Sequence, residues 1–281
     1  MQRRNRNLVS FDSPWDFDPG TVRTFEPEDG ADNQEPSRRM RDGQHRTPFM
    51  LETGSERQLL FTRASVQSTM SIEEPDALVS AYTRKMMSFL LFHPEPRHLV
   101  MIGLGGGSIA KFCYRNLPGT RITAVEIDAD VIALRDEFLL PADDERFRVV
   151  HADGARFVST LDEPADVMLV DAFDAQGIAP SLATSNFYAD ACARLDDDGV
   201  LAMNLSGERS RYPLHLQRLR RAFGNRVLLL PLVSSDNVLA FAFKGVLPET
   251  ADGTLDRIAR RLQESLRLEF PRYLERLRTT R

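Results

Sequence analysis

Val100-Met-Ile-Gly-Leu-Gly-Gly-Gly-Ser108, followed by Ala124-Val-Glu-Ile-Asp128, restricts this chain more than any other stretch. An apolar run ends in a glycine cluster, Ile109 to Asn116 reads as a helix, and a second apolar run ends in an acid. This is a strand–loop–helix–strand unit of the kind that holds a nucleoside. Gly103, Gly105, Gly106 and Gly107 let backbone approach a ligand closely, and the following helix offers free N–H groups and positive dipole potential. Glu126, at the end of the second strand, is placed to accept two ribose hydroxyls. The plainer reading of the same residues is a tight strand–helix turn beside an ordinary strand-end carboxylate.

Length and composition narrow the class. The 281 residues suffice for one large domain with a small appendage, and 27 % charged with 42 % hydrophobic residues fits a soluble globular protein. A net charge of −5 argues against a nucleic-acid partner, which usually needs a basic face. No apolar stretch approaches the roughly 18 residues of a membrane span. The start, Met-Gln-Arg-Arg-Asn-Arg-Asn, is basic without a following apolar core, so no secretory signal is expected. The two cysteines, Cys113 and Cys192, suggest neither a disulfide framework nor a zinc site. The cytoplasm is the expected location and no metal is expected. The oligomeric state stays open, with a homodimer as the arrangement considered.

Residues 1 to about 46 lack periodicity and are rich in Arg, Asp, Glu, Pro and Gly, which predicts a mostly disordered arm. Phe11, Trp15, Phe17 and Phe25 are residues with which it would dock. Residues 47–73 read as a small β-meander, with strands at Phe49–Thr53, Gln58–Thr62 and Ser65–Ile72. Residues 74–281 read as a Rossmann-like domain. It opens with a helix over Asp76–Leu91, and strand–helix alternation follows. Strands are expected at His98–Leu104, Arg121–Ile127, Phe147–Ala152, Asp166–Asp171, Gly199–Leu205, Arg226–Leu232 and Asn237–Lys244. Alternation implies a parallel sheet covered on both faces. The last two strands are joined only by Val233-Ser-Ser-Asp236, which permits only an antiparallel pair. The fold class is therefore α/β: a mostly parallel seven-stranded sheet with an antiparallel last strand, as in S-adenosylmethionine-type transferases. Thr254–Leu268 reads as an amphipathic helix broken near Pro271.

In an open parallel sheet, ligands sit at the carboxyl ends of the strands. Four successive strands here end in the glycine loop, Glu126, Asp153-Gly154 and Asp171. Asp153 suits an adenine amino group, with Gly154 allowing the ring to lie close; the alternative is a helix N-cap. Asp171 and Asp174 sit where a second substrate would meet the nucleoside. A carboxylate there can hold a cationic amine and take its proton as nitrogen attacks an electrophilic carbon. The five histidines lack metal-ligand spacing, and His151 reads as a partly buried structural residue. Ser108 reads as a helix cap and not a nucleophile.

Val66-Gln67, the glycine loop, Val125-Glu-Ile-Asp128, Ala152-Asp-Gly154, Val170-Asp-Ala-Phe-Asp174 and Asp198-Gly-Val-Leu201 together resemble the spermidine synthase family, the polyamine aminopropyltransferases. The resemblance is closest to the bacterial spermidine synthase-like branch and runs from about Pro48 to Lys244. It implies decarboxylated S-adenosylmethionine as co-substrate, a diamine acceptor, and methylthioadenosine as by-product. By position it implies that Glu126 binds ribose, Asp153-Gly154 the adenine, and Gln67 covers the donor. Asp171 would be the proton acceptor, Asp174 would hold the amine, and Tyr82 would lie on the substrate side.

Three departures bear on the reaction. Gly106 stands where the family loop has an aspartate for the aminopropyl ammonium. Asp171-Ala-Phe-Asp174-Ala replaces Asp-Ser-Ser-Asp-Pro. Tyr82-Thr-Arg84 replaces Tyr-His-Glu, and Arg84 would repel a cationic substrate. An S-adenosylmethionine-dependent methyltransferase is the alternative, followed by a non-catalytic nucleoside-binding protein. A dinucleotide dehydrogenase fits least, because the third glycine of its fingerprint would fall at Ser108.

Overall fold

The computed structural model describes residues 7–16, 18–26, 35–174, 177–206, 210, 212–232, 237–251 and 253–279, without the side chains of Glu35 and Asp174. It begins with five antiparallel strands paired in chain order: β1 (Leu8–Asp12), β2 (Thr21–Phe25), β3 (Phe49–Thr53), β4 (Glu56–Thr62) and β5 (Ser65–Ser71). The first two lie in the segment expected to be disordered, and that expectation is corrected. Val22, Thr24 and Phe25 are buried, and Trp15 packs on Phe49 with ring centroids 5.8 Å apart. Helix α1 (Glu35–Arg41) adds the buried Met40. Composition averaged over 46 residues hides two five-residue strands, β1 paired on β2 and β2 on β3. Phe17 lies outside the described residues.

Alternation sorts the sheet's side chains between two faces. Met50, Leu59 and Met70 join the core of the larger domain, while Val22, Phe49, Leu51 and Leu60 form a separate cluster with Met40. Arg23 on β2 and Arg57 on β4 both reach Glu137 of the larger domain, one through its carboxylate and one through its carbonyl. The small sheet is therefore clamped where it will form one wall of a cleft.

Helix α2 (Ala81–Met86) runs into a 3-10 turn, Met87–Leu91. The expected helix started at Asp76; residues 76–80 are not helical. The carbonyls of Leu78 and Val79 accept from the Arg84 guanidinium instead of serving a helical ladder. The alternation then proceeds through β6 (His98–Ile102), α3 (Ser108–Asn116), β7 (Arg121–Glu126), α4 (Ala129–Ala133), β8 (Phe147–His151), α5 (Gly154–Ser159) and β9 (Ala165–Val170). A two-residue pair, β10 (Phe173–Asp174) and β11 (Gly177–Ile178), precedes α6 (Ser185–Arg194), β12 (Leu195–Leu205) and α7 (Tyr212–Ala222). The chain closes with β13 (Val227–Pro231), β14 (Val238–Phe243), α8 (Gly253–Leu266) and α9 (Phe270–Thr279).

The large sheet has seven strands in the order β13-β14-β12-β9-β6-β7-β8. Strands β8, β7, β6, β9 and β12 are parallel, and β14 runs antiparallel between β12 and β13. The link 233–236 lies outside the described residues. From β6 the chain moves outward through β7 and β8, then returns to place β9 on the other side of β6. That reversal opens a crevice at the carboxyl ends of β6, β7 and β9. Strands β6 and β9 are buried along their whole length, which explains their continuous apolar runs. Truncating Leu169 to Ala would cost about 2–5 kcal/mol. The break expected near Pro271 falls at residues 267–269. Arg267 takes a left-handed φ of 55° that ends α8, and Pro271 falls in the first turn of α9, where its fixed φ suits a helix start. Among the described residues no helix is long and apolar enough to cross a membrane.

Candidate active site

The cleft opens at the strand reversal, between the large sheet and the small one. Gly103 ends β6 with φ 93°, and a Cβ there would lie 2.2 Å from the Asp171 carbonyl oxygen. Only glycine lets the loops after β6 and β9 touch, so this residue joins the two halves of the site. Gly105, with φ 52°, lines the cleft opposite Ser68. Gly106 and Gly107 do not line it. The side-chain direction of Gly106 is taken by Ser68 Oγ at 2.8 Å and the Phe138 ring at 2.9 Å, and that of Gly107 by Leu140 at 2.6 Å. Both glycines serve packing, and an aspartate at 106 has no room without a shift of these neighbours.

Glu126 is buried at the cleft wall. Its Oε2 accepts from the Leu104 N–H and its Oε1 from the Asp128 N–H, both at 2.9 Å. The carboxylate thus fixes the glycine loop and the turn after β7 together, and each oxygen keeps a lone pair for a hydroxyl. Gln67 lines the same cleft from β5, with its amide held on Ser65 Oγ at 2.6 Å. Ser108 does not cap α3. Its Oγ lies 3.4 Å from Ser68 Oγ, and both serines line the cleft.

Asp171 follows β9 directly and its N–H donates to Ile102 O at 2.9 Å. Its Oδ1 accepts from Asn204 Nδ2 at 3.0 Å, and Asn237 Nδ2 donates to Asn204 Oδ1 at 3.2 Å. The Tyr82 phenol of α2 lines the same cleft and interacts with the Asp171 carboxylate. Burial raises the Asp171 pKa above the ordinary carboxylate value, and the donors Asn204 and Tyr82 partly counter it by stabilising the charged form. Burial, reinforced by the Asp171 charge, pushes the Tyr82 phenol well up, so it stays a donor. The arrangement is a carboxylate of raised pKa, suited to proton acceptance and flanked by two side-chain partners.

Other expected residues lie elsewhere. Asp153 caps α5, accepting from the Arg156 N–H at 2.9 Å, and is not among the residues lining this cleft. A Cβ on Gly154 would meet Ile102 Cγ2 at 2.3 Å, so this glycine packs α5 onto the sheet. Asp174 belongs to β10, and its side chain lies outside what the structure describes. Arg84 does not face the cleft; it is held on the Leu78 and Val79 carbonyls and turned toward α9, so its expected repulsion of a cationic substrate is corrected. His151 is exposed, not partly buried, with Nε2 3.0 Å from Ile127 O. Among the described residues no group of His, Cys, Asp or Glu is arranged to hold a metal ion.

Sequence reasoning missed Asn204, Asn237 and Ser68. Asn204 carried a usable signal: it is the one polar residue in Val200-Leu-Ala-Met-Asn-Leu205, and it is 2 % exposed. A polar side chain kept inside a buried strand needs a partner, and here the partner is Asp171.

Residues 59–213 match the family model for the spermine/spermidine synthase domain. A polyamine aminopropyltransferase of Neisseria meningitidis serogroup A is 37 % identical over 249 residues, covering 87 % of this chain and 95 % of the relative. Among solved structures, a probable spermidine synthase from Corynebacterium glutamicum aligns with TM-score 0.63 at 17 % identity, over 77 % of this chain and 84 % of that one. Human methyltransferase-like protein 13 in complex with SAH aligns with TM-score 0.60 at 22 % identity, over 67 % of this chain and 93 % of that one. Structural likeness therefore establishes the fold that both kinds of transferase share, and the sequence relatives choose between them: this chain belongs to the spermine/spermidine synthase family.

Proposed function

We propose that this protein transfers an aminopropyl group from decarboxylated S-adenosylmethionine to a polyamine acceptor. The observation that carries the reading is Asp171, a carboxylate of raised pKa held by Asn204 and Tyr82 in the same cleft as Glu126. Glu126 takes the ribose hydroxyls on its free lone pairs, Gln67 covers the donor, and Gly103 and Gly105 give the backbone its close approach. Asp153, at the end of β8, remains the proposed partner of the adenine amino group, through the carboxylate oxygen its cap leaves free. Asp174 is the proposed holder of the acceptor's distal ammonium.

The acceptor amine attacks the aminopropyl carbon bound to the sulfonium. A C–N bond forms as the C–S bond breaks, and methylthioadenosine leaves with the electron pair on sulfur. The proton lost by the attacking nitrogen passes to Asp171, and Tyr82 and Asn204 hold that carboxylate in line. With Arg84 turned away, no cation of α2 opposes a cationic acceptor in the cleft.

The test is product analysis by mass spectrometry after incubation with decarboxylated S-adenosylmethionine and a panel of diamines and polyamines. Methylthioadenosine should appear in equal amount with an aminopropylated amine, and Asp171→Asn should abolish both. Release of S-adenosylhomocysteine from S-adenosylmethionine, with no methylthioadenosine from the decarboxylated donor, would overturn the proposal in favour of methyl transfer.

A further inference from the structure

Helix α2 separates two pockets. Tyr82 and Thr83 line the cleft of Asp171, whereas Ala81, Arg84 and Lys85 line a second concavity against α9. That second pocket has a volume of about 100 Å³, and its other walls are Glu269, Arg272, Tyr273 and Arg276. Four cations therefore meet one carboxylate in a small hollow of a chain whose overall charge is −5.

The single carboxylate is already committed. Glu269 pairs with Arg272 at 3.0 Å, an exposed pair one turn apart on α9. Arg84 is fixed by Leu78 O at 2.7 Å and by Val79 O. Lys85 has no hydrogen-bond or ion-pair partner among the described residues. Burial, then Arg276, Arg272 and Arg84, hold its pKa below the usual lysine value, with Glu269 partly countering them. Arg84, Lys85 and Arg272 crowd the single carboxylate Glu269; this excess of positive charge raises the energy of the empty pocket, and a bound anion lowers that cost. Guanidinium groups present paired N–H donors that match phosphate oxygens, and an ammonium adds a point charge beside them.

We propose that the pocket between α2 and α9 binds a small phosphate-class polyanion such as pyrophosphate or the phosphate tail of a nucleotide. Its volume of about 100 Å³ suits one or two phosphate groups. The ligand is opposite in charge to the donor and acceptor proposed for the neighbouring cleft, so the pocket is not an extension of the substrate site.

The test is calorimetric titration of the full chain with sodium pyrophosphate at fixed ionic strength, with methylthioadenosine saturating the nucleoside cleft. One saturable site is expected, weakened at least tenfold in Lys85→Gln/Arg272→Gln and unchanged in Arg257→Gln on the exposed face of α8. Parallel titrations with inorganic phosphate and ATP distinguish the sources: tighter binding of ATP than of pyrophosphate assigns the pocket to a nucleotide tail, and the reverse order to the inorganic polyanion. Heats indistinguishable from sodium chloride, or equal affinity in the double variant, would overturn the proposal. Should the double variant lose its thermal unfolding transition, Lys85→Gln alone serves, since Lys85 has no partner to lose.

Discussion

The two carboxylates of the cleft are held in opposite ways. Glu126 is fixed by backbone N–H groups, from Leu104 in the glycine loop and Asp128 two residues on. Asp171 is fixed by side chains, from Asn204 on β12 and Tyr82 on α2, with Asn237 behind Asn204. Backbone donors come with the strand–loop–helix unit and persist under substitution. Side-chain donors from distant elements can be changed one at a time, and each sets how readily the carboxylate takes a proton. In the proposed reaction the donor wall therefore has fixed geometry, and the acceptor floor tuned basicity.

Substitutions that strike one carboxylate and spare the other separate these roles. The largest effect is expected of Asp171→Asn. Turnover should fall by about 100-fold or more, with methylthioadenosine affinity within about twofold of wild type. Steady-state kinetics and calorimetry check the two halves, and a parallel loss of nucleoside binding would merge the regions that the comparison keeps apart. Glu126→Ala should do the reverse, weakening methylthioadenosine by about 1.5–3 kcal/mol, the scale of hydrogen bonds to a charged group. Unchanged affinity in calorimetry would remove Glu126 from the donor wall. Gly103→Ala strikes the junction. Its left-handed φ and the approach to Asp171 O predict a loss of about 1–3 kcal/mol in urea unfolding from strain alone. Unaltered stability would show that the two loops are free to part.

The same contrast explains what the sequence disclosed. Glu126 and the glycine loop were legible because their partners lie within one supersecondary unit, where spacing implies geometry. The order of strands and helices, and the antiparallel last strand, were legible from apolar runs and a four-residue link. Asn204 was not, since its partner lies 33 residues away and only the pairing of β9 with β12 brings them together. The direction of Arg84 was hidden for a similar reason: its partners are the carbonyls of a non-helical stretch that read as helix. Gly106 and Gly107 were assigned to the ligand because a glycine cluster has the same composition whether backbone meets a nucleoside or a packed Phe138 and Leu140. Strands β1 and β2 were lost in a charged segment because β2 is anchored by β3 and Glu137, both outside it, and β1 pairs only with β2.

The smallest and sharpest effect is expected of Asn204→Ala, and the pH dependence of kcat/KM tests the central claim most directly. In the proposed reaction Asp171 acts as the base, so the rate falls as pH drops through its pKa, and burial places that acid limb above the ordinary carboxylate range. Asn204 donates to the charged form, so its removal raises the pKa and moves the limb upward, by about one pH unit for a bond worth roughly 1.4 kcal/mol. Profiles of wild type, Asn204→Ala and Glu126→Ala should show the limb displaced upward in Asn204→Ala and in place in Glu126→Ala. An acid limb unmoved by Asn204→Ala, or moved equally by Glu126→Ala, would contradict the division between a fixed donor wall and a tuned acceptor floor.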